Sequence, residues 1–275
     1  KVDEETGLTS FVPDKSEIHP VQFFVRGSSY TILGLIESDI HLFGLEGDNE
    51  HGIFLFGTDR QGRDILSRII YGARISLSIG LITQLINTFI GVTLGLIAGY
   101  SGGWIDDLIM NLTNIMLSIP PLILALAIVA LLGPGLINIF IALGFTLWTH
   151  ICRVARAKTL SIKEKDFIIA SKALGLSDLK VLFKHILPNI IAPILVIATF
   201  GVASAILIES SLSFLGIGTQ PPTPSWGTML SNGKKYIWTV PWVMIYPGIA
   251  IMITIMGLNL MGDGLRDYLD PHNRS

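Results

Sequence analysis

Apolar residues in this chain gather into five long runs, roughly Ser76–Gly99, Asp106–Leu132, Gly135–Cys152, Asn189–Glu209 and Val240–Met261. A helix rising about 1.5 Å per residue needs roughly 20 apolar residues to cross a hydrocarbon core, and each run is near that length. One such run could be a buried soluble helix. Five in succession predict an all-α polytopic membrane protein with five visible transmembrane helices. The second run contains Pro120 and Pro121, so a kink is expected there. Neither half is long enough to cross alone, which favours one bent helix. The fifth run contains Pro247 and Gly248 and is expected to bend as well.

Residues 1–56 carry no such run. Short apolar stretches at Phe23–Val25, Leu33–Ile36 and Ile53–Phe56 are bounded by Gly, Pro and Asp, which predicts a small segment of short strands and turns. Between Thr58 and Arg74, Ile65, Leu66, Ile69 and Ile70 share one helical face, with Arg60, Arg63, Arg68 and Arg74 around the rest. Residues 57–75 therefore read as an amphipathic lead-in helix, either lying on the membrane surface or packed as the entry to the first span. Residues 76–275 make up the transmembrane domain.

Charge adds an orientation. The stretch after the third run holds Arg153, Arg156, Lys158, Lys163, Lys165, Lys172, Lys180 and Lys184 against Glu164, Asp166 and Asp178. Cytoplasmic loops are enriched in Lys and Arg, so the loop 153–188 is expected inside. Counting spans outward places residues 1–73 outside, where twelve acids face six bases. The C-terminus, with Arg266 and Arg274, falls inside. An external start at Lys1 without a visible signal implies a further span before it, giving six in the complete chain.

Composition agrees: half of the residues are hydrophobic and 15% are charged, against about 25% charged in a soluble domain. The single cysteine, Cys152, excludes a disulfide framework, and no C-x-x-C suggests a thiolate metal site. The six histidines have no ligand spacing, and His150 reads as a polar residue packed at a helix end. Gly227–Lys235 imitates a phosphate-binding loop but has five residues where four are needed, and Lys235 where a hydroxyl is needed. Gly99–Gly103 matches Gly-x-Ser-x-Gly, yet no strand precedes it. No nucleophile and base pair suggests an intramembrane hydrolase, so the chain is expected to have no catalytic residues and no metal.

Charged residues are nearly absent from the runs, which argues against a proton- or ion-driven carrier. Glu209 is the exception, near the outer end of its run, where it either faces a pathway or is hydrogen-bonded to Ser210, Ser211 or backbone. Uncharged polar residues are commoner: Gln84, Asn87, Thr88, Asn111, Thr113, Asn114 and Asn138. Some would line a route for a polar solute and others would join helices. Gly91, Gly95 and Gly99 recur every four residues on one face, a pattern that lets two helix backbones approach closely, within this chain or with another.

The basic loop reads DFIIASKALGLSDLKVLFKHILPN from Asp166. Small Ala170, Ser171 and Ala173 give a smooth helix face. Gly175 permits a left-handed turn at the helix end, and Pro188 suits the first turn of a new helix. This string resembles the signature of importer permeases: Glu-Ala-Ala, three residues, Gly, then a spacer ending in Leu-Pro. Ala170, Gly175, Leu187 and Pro188 stand at the matching positions. Ser171 replaces the second Ala, Ile169 stands in place of Glu, and His185 in place of a frequent Ile. LFGTDRQGRDILSRIIYGARISLSIG, IESSLSFLGIGTQPPTPSWGTML and MGDGLRDYLDP extend the resemblance over Leu55–Pro271. They are similar to the dipeptide, oligopeptide and nickel branch of the ABC importer permeases, in its C-type subunit.

The resemblance implies a permease in the bacterial inner membrane, carrying peptides or a similar polar solute by alternating access. It implies a homologous second permease, two ATPase subunits that bind ATP and Mg, and an extracytoplasmic solute-binding protein. Asp166, Ala170, Ser171, Ala173, Gly175, Leu187 and Pro188 would form the ATPase-coupling loop. No cofactor and no nucleic acid is expected on this chain. A secondary transporter or channel subunit not coupled to ATP is the competing reading.

Overall fold

The computed structural model describes residues 20–32, 36–45, 53–59, 61–220 and 222–269. It divides into two compact units, residues 1–57 and 58–275.

In the first unit, β1 (Val21–Ile32) and β2 (Ile36–Leu45) form one antiparallel two-stranded sheet. The register pairs Val21 with Leu45 and Ile32 with Ile36, with an irregularity between Arg26 and Tyr30. The strands are longer than the short apolar stretches suggested, because cross-strand pairing resumes at Tyr30–Ser38 beyond the irregularity and continues to the Ile32–Ile36 pair. Ile53–Phe56 is a turn and not a strand, closed by the Gly57 N–H donating to the Phe54 carbonyl at 2.9 Å. Leu33–Leu35 lies outside the described residues.

The second unit is helical. Its first helix, α1 (Ile65–Ser101), has 37 residues, about 55 Å at helical rise, far more than a bilayer core of ~30 Å. The lead-in expected at 57–75 is helical from Ile65 onward and continuous with the first span. Thr58 and Asp64 form an isolated antiparallel bridge, and Asp64 caps α1 by accepting from the Leu66 and Ser67 N–H groups. Just before it, Asp59 accepts from the Gln61 and Arg63 N–H groups at 2.9 and 3.1 Å and from Arg63 Nε at 2.8 Å. From Ile65, which is fully buried, the lead-in and the first span are one helix.

The second apolar run forms two helices, α2 (Gly103–Leu117) and α3 (Pro121–Leu132), at 88° to each other. This is a break, where a kink in one helix was expected. Pro121 drives the preceding residue out of the helical region, and Pro120 accordingly takes φ −54°, ψ 130°. The third run forms α4 (Leu136–Thr146) and α5 (Trp148–Lys163), so Arg153, Arg156, Lys158 and Lys163 lie on helix, before the loop begins. His150, expected to be packed, is exposed in the first turn of α5.

After α5 come the short helix α6 (Asp166–Ala173), a single turn α7 (Asp178–Lys180), a π-helical segment Val181–Ile186 and α8 (Leu187–Phe214). A short α9 (Trp226–Gly233), a 3₁₀ turn at Lys234–Tyr236 and α10 (Trp242–Leu269) complete the unit. Helix α10 runs unbroken through Pro247. Four helical stretches are long and apolar enough to cross a membrane: Ile65–Ser101, Leu136–Lys163, Asp178–Phe214 and Trp242–Leu269. The bent pair α2–α3 supplies a fifth if counted as one span.

Helix α1 is the axis of the unit. A Cβ added at Gly91, Gly95 or Gly99 would lie 2.7, 2.5 or 2.8 Å from the carbonyl oxygens of Trp148, Cys152 and Arg156 respectively. The small-residue stripe therefore packs against α5 of the same chain, the two helices running in the same direction. Higher up α1, Gly80 meets Ile206 and Val202 of α8, which runs the opposite way. Two apolar cores result. Ile79, Ala125, Val129, Ile139, Leu143 and Leu212 join α1, α3, α4 and α8 toward the Ile65 end. Leu96, Ile151, Ala155, Ile168, Val181 and Ile190 join α1, α5, α6 and α8 toward the Ser101 end.

Candidate functional site

The loop at the Ser101 end carries the short helix α6. Asp166 occupies the first turn of α6 and Lys172 the last, charges that suit the helix dipole at each end. Ile168 is fully buried in the core toward the Ser101 end, the lower core, and anchors the helix. Phe167, Ile169 and Leu174 stay exposed, Leu174 at 81%. Ala170 and Ala173 are exposed between them, while Ser171 is half-buried and donates to the Phe167 carbonyl at 2.7 Å. The outward face of α6 is thus apolar.

Gly175 ends this helix with φ +78°. Its N–H donates to the Lys172 carbonyl at 2.9 Å, and the Leu176 N–H donates to the Ser171 carbonyl at 3.2 Å. This paired closure satisfies carbonyls that the helix end would leave bare. Leu176 then packs against the lower core.

Pro188 does not begin a new helix, as its sequence context suggested. The helical run starts at Asp178 and passes through the π-helical segment into α8. Proline in a continuing helix lacks a donor and clashes with the carbonyl four residues back. A π turn widens the ladder just before it: the Leu187 N–H donates to the Leu182 carbonyl, five residues away. Leu187 and Pro188 accordingly sit where the loop becomes a span.

A second set of polar contacts holds α2 to α5 near this end. Arg156 grips Asp106 through Nε and Nη2, both at 2.5 Å. Arg153 Nη2 donates to Asn114 Oδ1 at 2.6 Å. Asn114, a pathway candidate by sequence, is in this way a helix-joining group on an exposed face.

The other pathway candidates are interior to the single chain. Gln84 is buried, donates to Thr88 Oγ1 at 3.2 Å and packs against Gly201. Asn87 is fully buried, and neither its amide nor the Thr83 hydroxyl has a hydrogen-bond partner among the described residues. Glu209 is fully buried and accepts from Ser213 Oγ at 2.7 Å, Ser225 Oγ at 3.1 Å and Ser210 Oγ at 3.5 Å. Ser211 donates elsewhere, to the Leu207 carbonyl. Ser225 also N-caps α9 through a capping box with Thr228 and accepts from Thr219 Oγ1 at 3.1 Å. Glu209 therefore fastens α9 onto α8 in a closed network that includes Ser210, one of the neighbours named from sequence, and reaches beyond it to Ser213 and Ser225. Neither the cap at Ser225 nor its partner Glu209, 16 residues earlier, was read from the sequence.

Glu209→Ala would leave the Ser213 and Ser225 hydroxyls without their acceptor. It should lower stability by about 1–3 kcal/mol, read as the melting temperature of the purified protein, while Glu209→Gln, which keeps an acceptor oxygen, should be milder. Equal melting temperatures for all three proteins would remove the network from the stability of the fold.

Among the described residues no group of His, Cys, Asp and Glu is arranged to hold a metal ion.

The profile of the binding-protein-dependent transport system inner membrane component family matches residues 91–275. The chain is 49% identical over 220 residues to a dipeptide transport system permease protein of Alkalihalophilus pseudofirmus, covering 80% of this chain and 72% of that one. It is 49% identical over 218 residues to a di/tripeptide transport system permease protein of Pseudomonas aeruginosa, covering 79% and 72%. A glutathione transport system permease protein of Escherichia coli is 44% identical over 216 residues, covering 78% and 71%. Among solved structures, the methionine ABC transporter MetNI in an inward-facing conformation is similar in fold, with a TM-score of 0.62 at 18% identity, over 75% of this chain and 98% of that one. An amino acid ABC transporter gives 0.58 at 15%, over 74% and 95%. With two thirds of its length inside the family profile and close relatives along most of it, the chain belongs to the inner membrane components of binding-protein-dependent transport systems.

Proposed function

We propose that this permease subunit carries peptides, or polar solutes that resemble them, as half of an ATP-driven importer. Relatives that share nearly half of its residues are named for dipeptides and di/tripeptides, and a third for glutathione, itself a peptide. The single observation that carries the coupling role is the build of α6: one buried anchor, Ile168, and an outward face of Phe167, Ile169, Ala170 and Ala173. A helix fixed to the span core by one side and presenting an apolar surface on the other is suited to sit in a cleft of an ATPase subunit. Asp166, Ala170, Ser171, Ala173, Gly175, Leu187 and Pro188 are its coupling residues.

Two ATPase subunits would bind ATP and Mg and supply all hydrolysis. A homologous second permease would complete the pathway, and an extracytoplasmic solute-binding protein would deliver the solute. The interior positions of Gln84, Asn87 and Glu209 favour a pathway between two permeases over one within this chain. Closure of the ATPases would move α6, and through the lower core the spans, to alternate access.

The charge asymmetry supports an orientation with residues 1–73 outside and the loop 153–188 and the C-terminus inside. Cysteines introduced at Ser29 and Ser161, both exposed, test this on intact cells with an impermeant thiol reagent. Ser29→Cys should label and Ser161→Cys should not; the reverse pattern would invert the topology. The native Cys152 is buried and should stay silent. The solute class is tested by ATP-dependent peptide uptake into proteoliposomes that hold the complete complex. Uptake that needs no ATP would favour a carrier instead.

A further inference from the structure

Tyr100 lies in the last turn of α1. Its hydroxyl donates to Asp178, the first residue of the helical run that leads into α8. Its carbonyl accepts from Lys163 Nζ, at the end of α5, at 2.5 Å. The Lys172 ammonium, in the last turn of α6, stands 4.5 Å from the ring centroid, and Lys163 Nζ stands 5.5 Å from it. One half-buried side chain and its own carbonyl therefore meet the end of α5, the end of α6 and the start of α7.

The topology gives this convergence its meaning. Helix α6 is joined by the chain to α5 before it and to α7 and α8 after it. It has no covalent link to α1. Gly99, one residue before Tyr100, is pressed against the Arg156 carbonyl and Thr159, which fixes the end of α1 against α5. Tyr100 extends from that fixed point to the two ends of the Gly175 turn: Lys172 before it and Asp178 after it. A cation over an aromatic face and a hydroxyl on a carboxylate resist different displacements, the first a lift of α6 away from the ring and the second a slide of its exit.

We propose that Tyr100 is a positioning residue for coupling, tethering the α6 loop to α1 so that displacement of α6 moves that span with α5 and α8. The assignment rests on the importer reading. It predicts that the ATPase subunits stay bound when the tether is cut, while less solute is moved for each ATP.

The experiment uses the full complex in proteoliposomes with wild type, Tyr100→Phe, Tyr100→Leu and Lys172→Met. Tripeptide uptake, ATP hydrolysis and ATPase-subunit retention are measured on the same preparations. Tyr100→Leu, which loses both ring and hydroxyl, should reduce peptide moved per ATP by roughly threefold to tenfold with the ATPase subunits retained. Tyr100→Phe keeps the ring and Lys172→Met keeps the hydroxyl bond, so each should fall between Leu and wild type. If Tyr100→Leu fails to assemble, the two milder variants decide: a wild-type ratio in both overturns the proposal. So does an unchanged ratio in Tyr100→Leu, or parallel loss of assembly and ratio in all three, which is what a purely structural residue would give. A wild-type complex that moves peptide without ATP would overturn the importer reading itself, a result separable from any variant.

Discussion

Gly175→Val is expected to remove most transport while leaving the chain inserted in the membrane. Gly175 holds φ +78°, a conformation that costs a residue with a Cβ about 1–2 kcal/mol, and a β-branched residue more. The cost is purely conformational, because a Cβ at this position would meet nothing within 4 Å. Relief of the strain would break the two hydrogen bonds that close α6, from Gly175 to Lys172 and from Leu176 to Ser171. Leu176 would then leave the lower core, and α6 would lose its angle. A penalty of one or two kcal/mol is a factor of roughly 5–30 in the population of the correct loop. None of the residues involved lies within the apolar part of a span, so insertion should persist. Gly175→Ala should show a smaller loss, and Gly175→Asn, which tolerates the left-handed region best, the smallest. The measurement is uptake and ATPase copurification at matched membrane levels. Normal values for the valine variant would detach this turn from coupling.

Gly95→Val is expected to have the larger effect on the fold itself. The Cβ of any residue there would lie 2.5 Å from the Cys152 carbonyl oxygen, 2.6 Å from Ala155 Cβ and 3.0 Å from the Arg156 nitrogen. Two of these atoms are backbone of α5 and cannot rotate away. The helices must separate, and the lower core, which includes Leu96, Ile151 and Ala155, opens with them. Even Gly95→Ala should cost about 1–3 kcal/mol, the range for overpacking a filled interior; valine should prevent accumulation of folded protein. Gly257 is the internal control, since it is also helical but has nothing within 4 Å of an added Cβ. Gly257→Ala should stay within about 1 kcal/mol of wild type. Melting temperatures of the detergent-solubilised proteins compare them, and equal values for Gly95→Ala and Gly257→Ala would show that α1 and α5 are not tightly packed.

Much of this was legible in the chain. Segment hydrophobicity marked every span, because lipid demands a long apolar run whatever the neighbours are. The left-handed turn at Gly175 was legible too: a small-residue helix followed by Gly and a hydrophobic residue leaves few other closures. Pro188 misled because its local preference for a helix start is satisfied equally by a π turn inside a longer helix. Pro120 and Pro121 understated the outcome, since sequence marks where a helix ends but not the angle at which the chain resumes.

The sequence by itself determined which segments are helical and apolar, where charge collects and which glycine must turn. Those properties depend on each residue and its near neighbours, and they follow from backbone sterics and transfer free energies alone. Only the tertiary structure decided partners. The Gly91, Gly95 and Gly99 stripe required a close helix without naming α5. Glu209 required hydrogen-bond donors without naming Ser213 and Ser225. Tyr100 carried no signal at all until α5, α6 and α7 converged on it. Contacts between residues distant in the chain depend on how whole helices pack, and that geometry is set by the sum of many small interactions that no local pattern records.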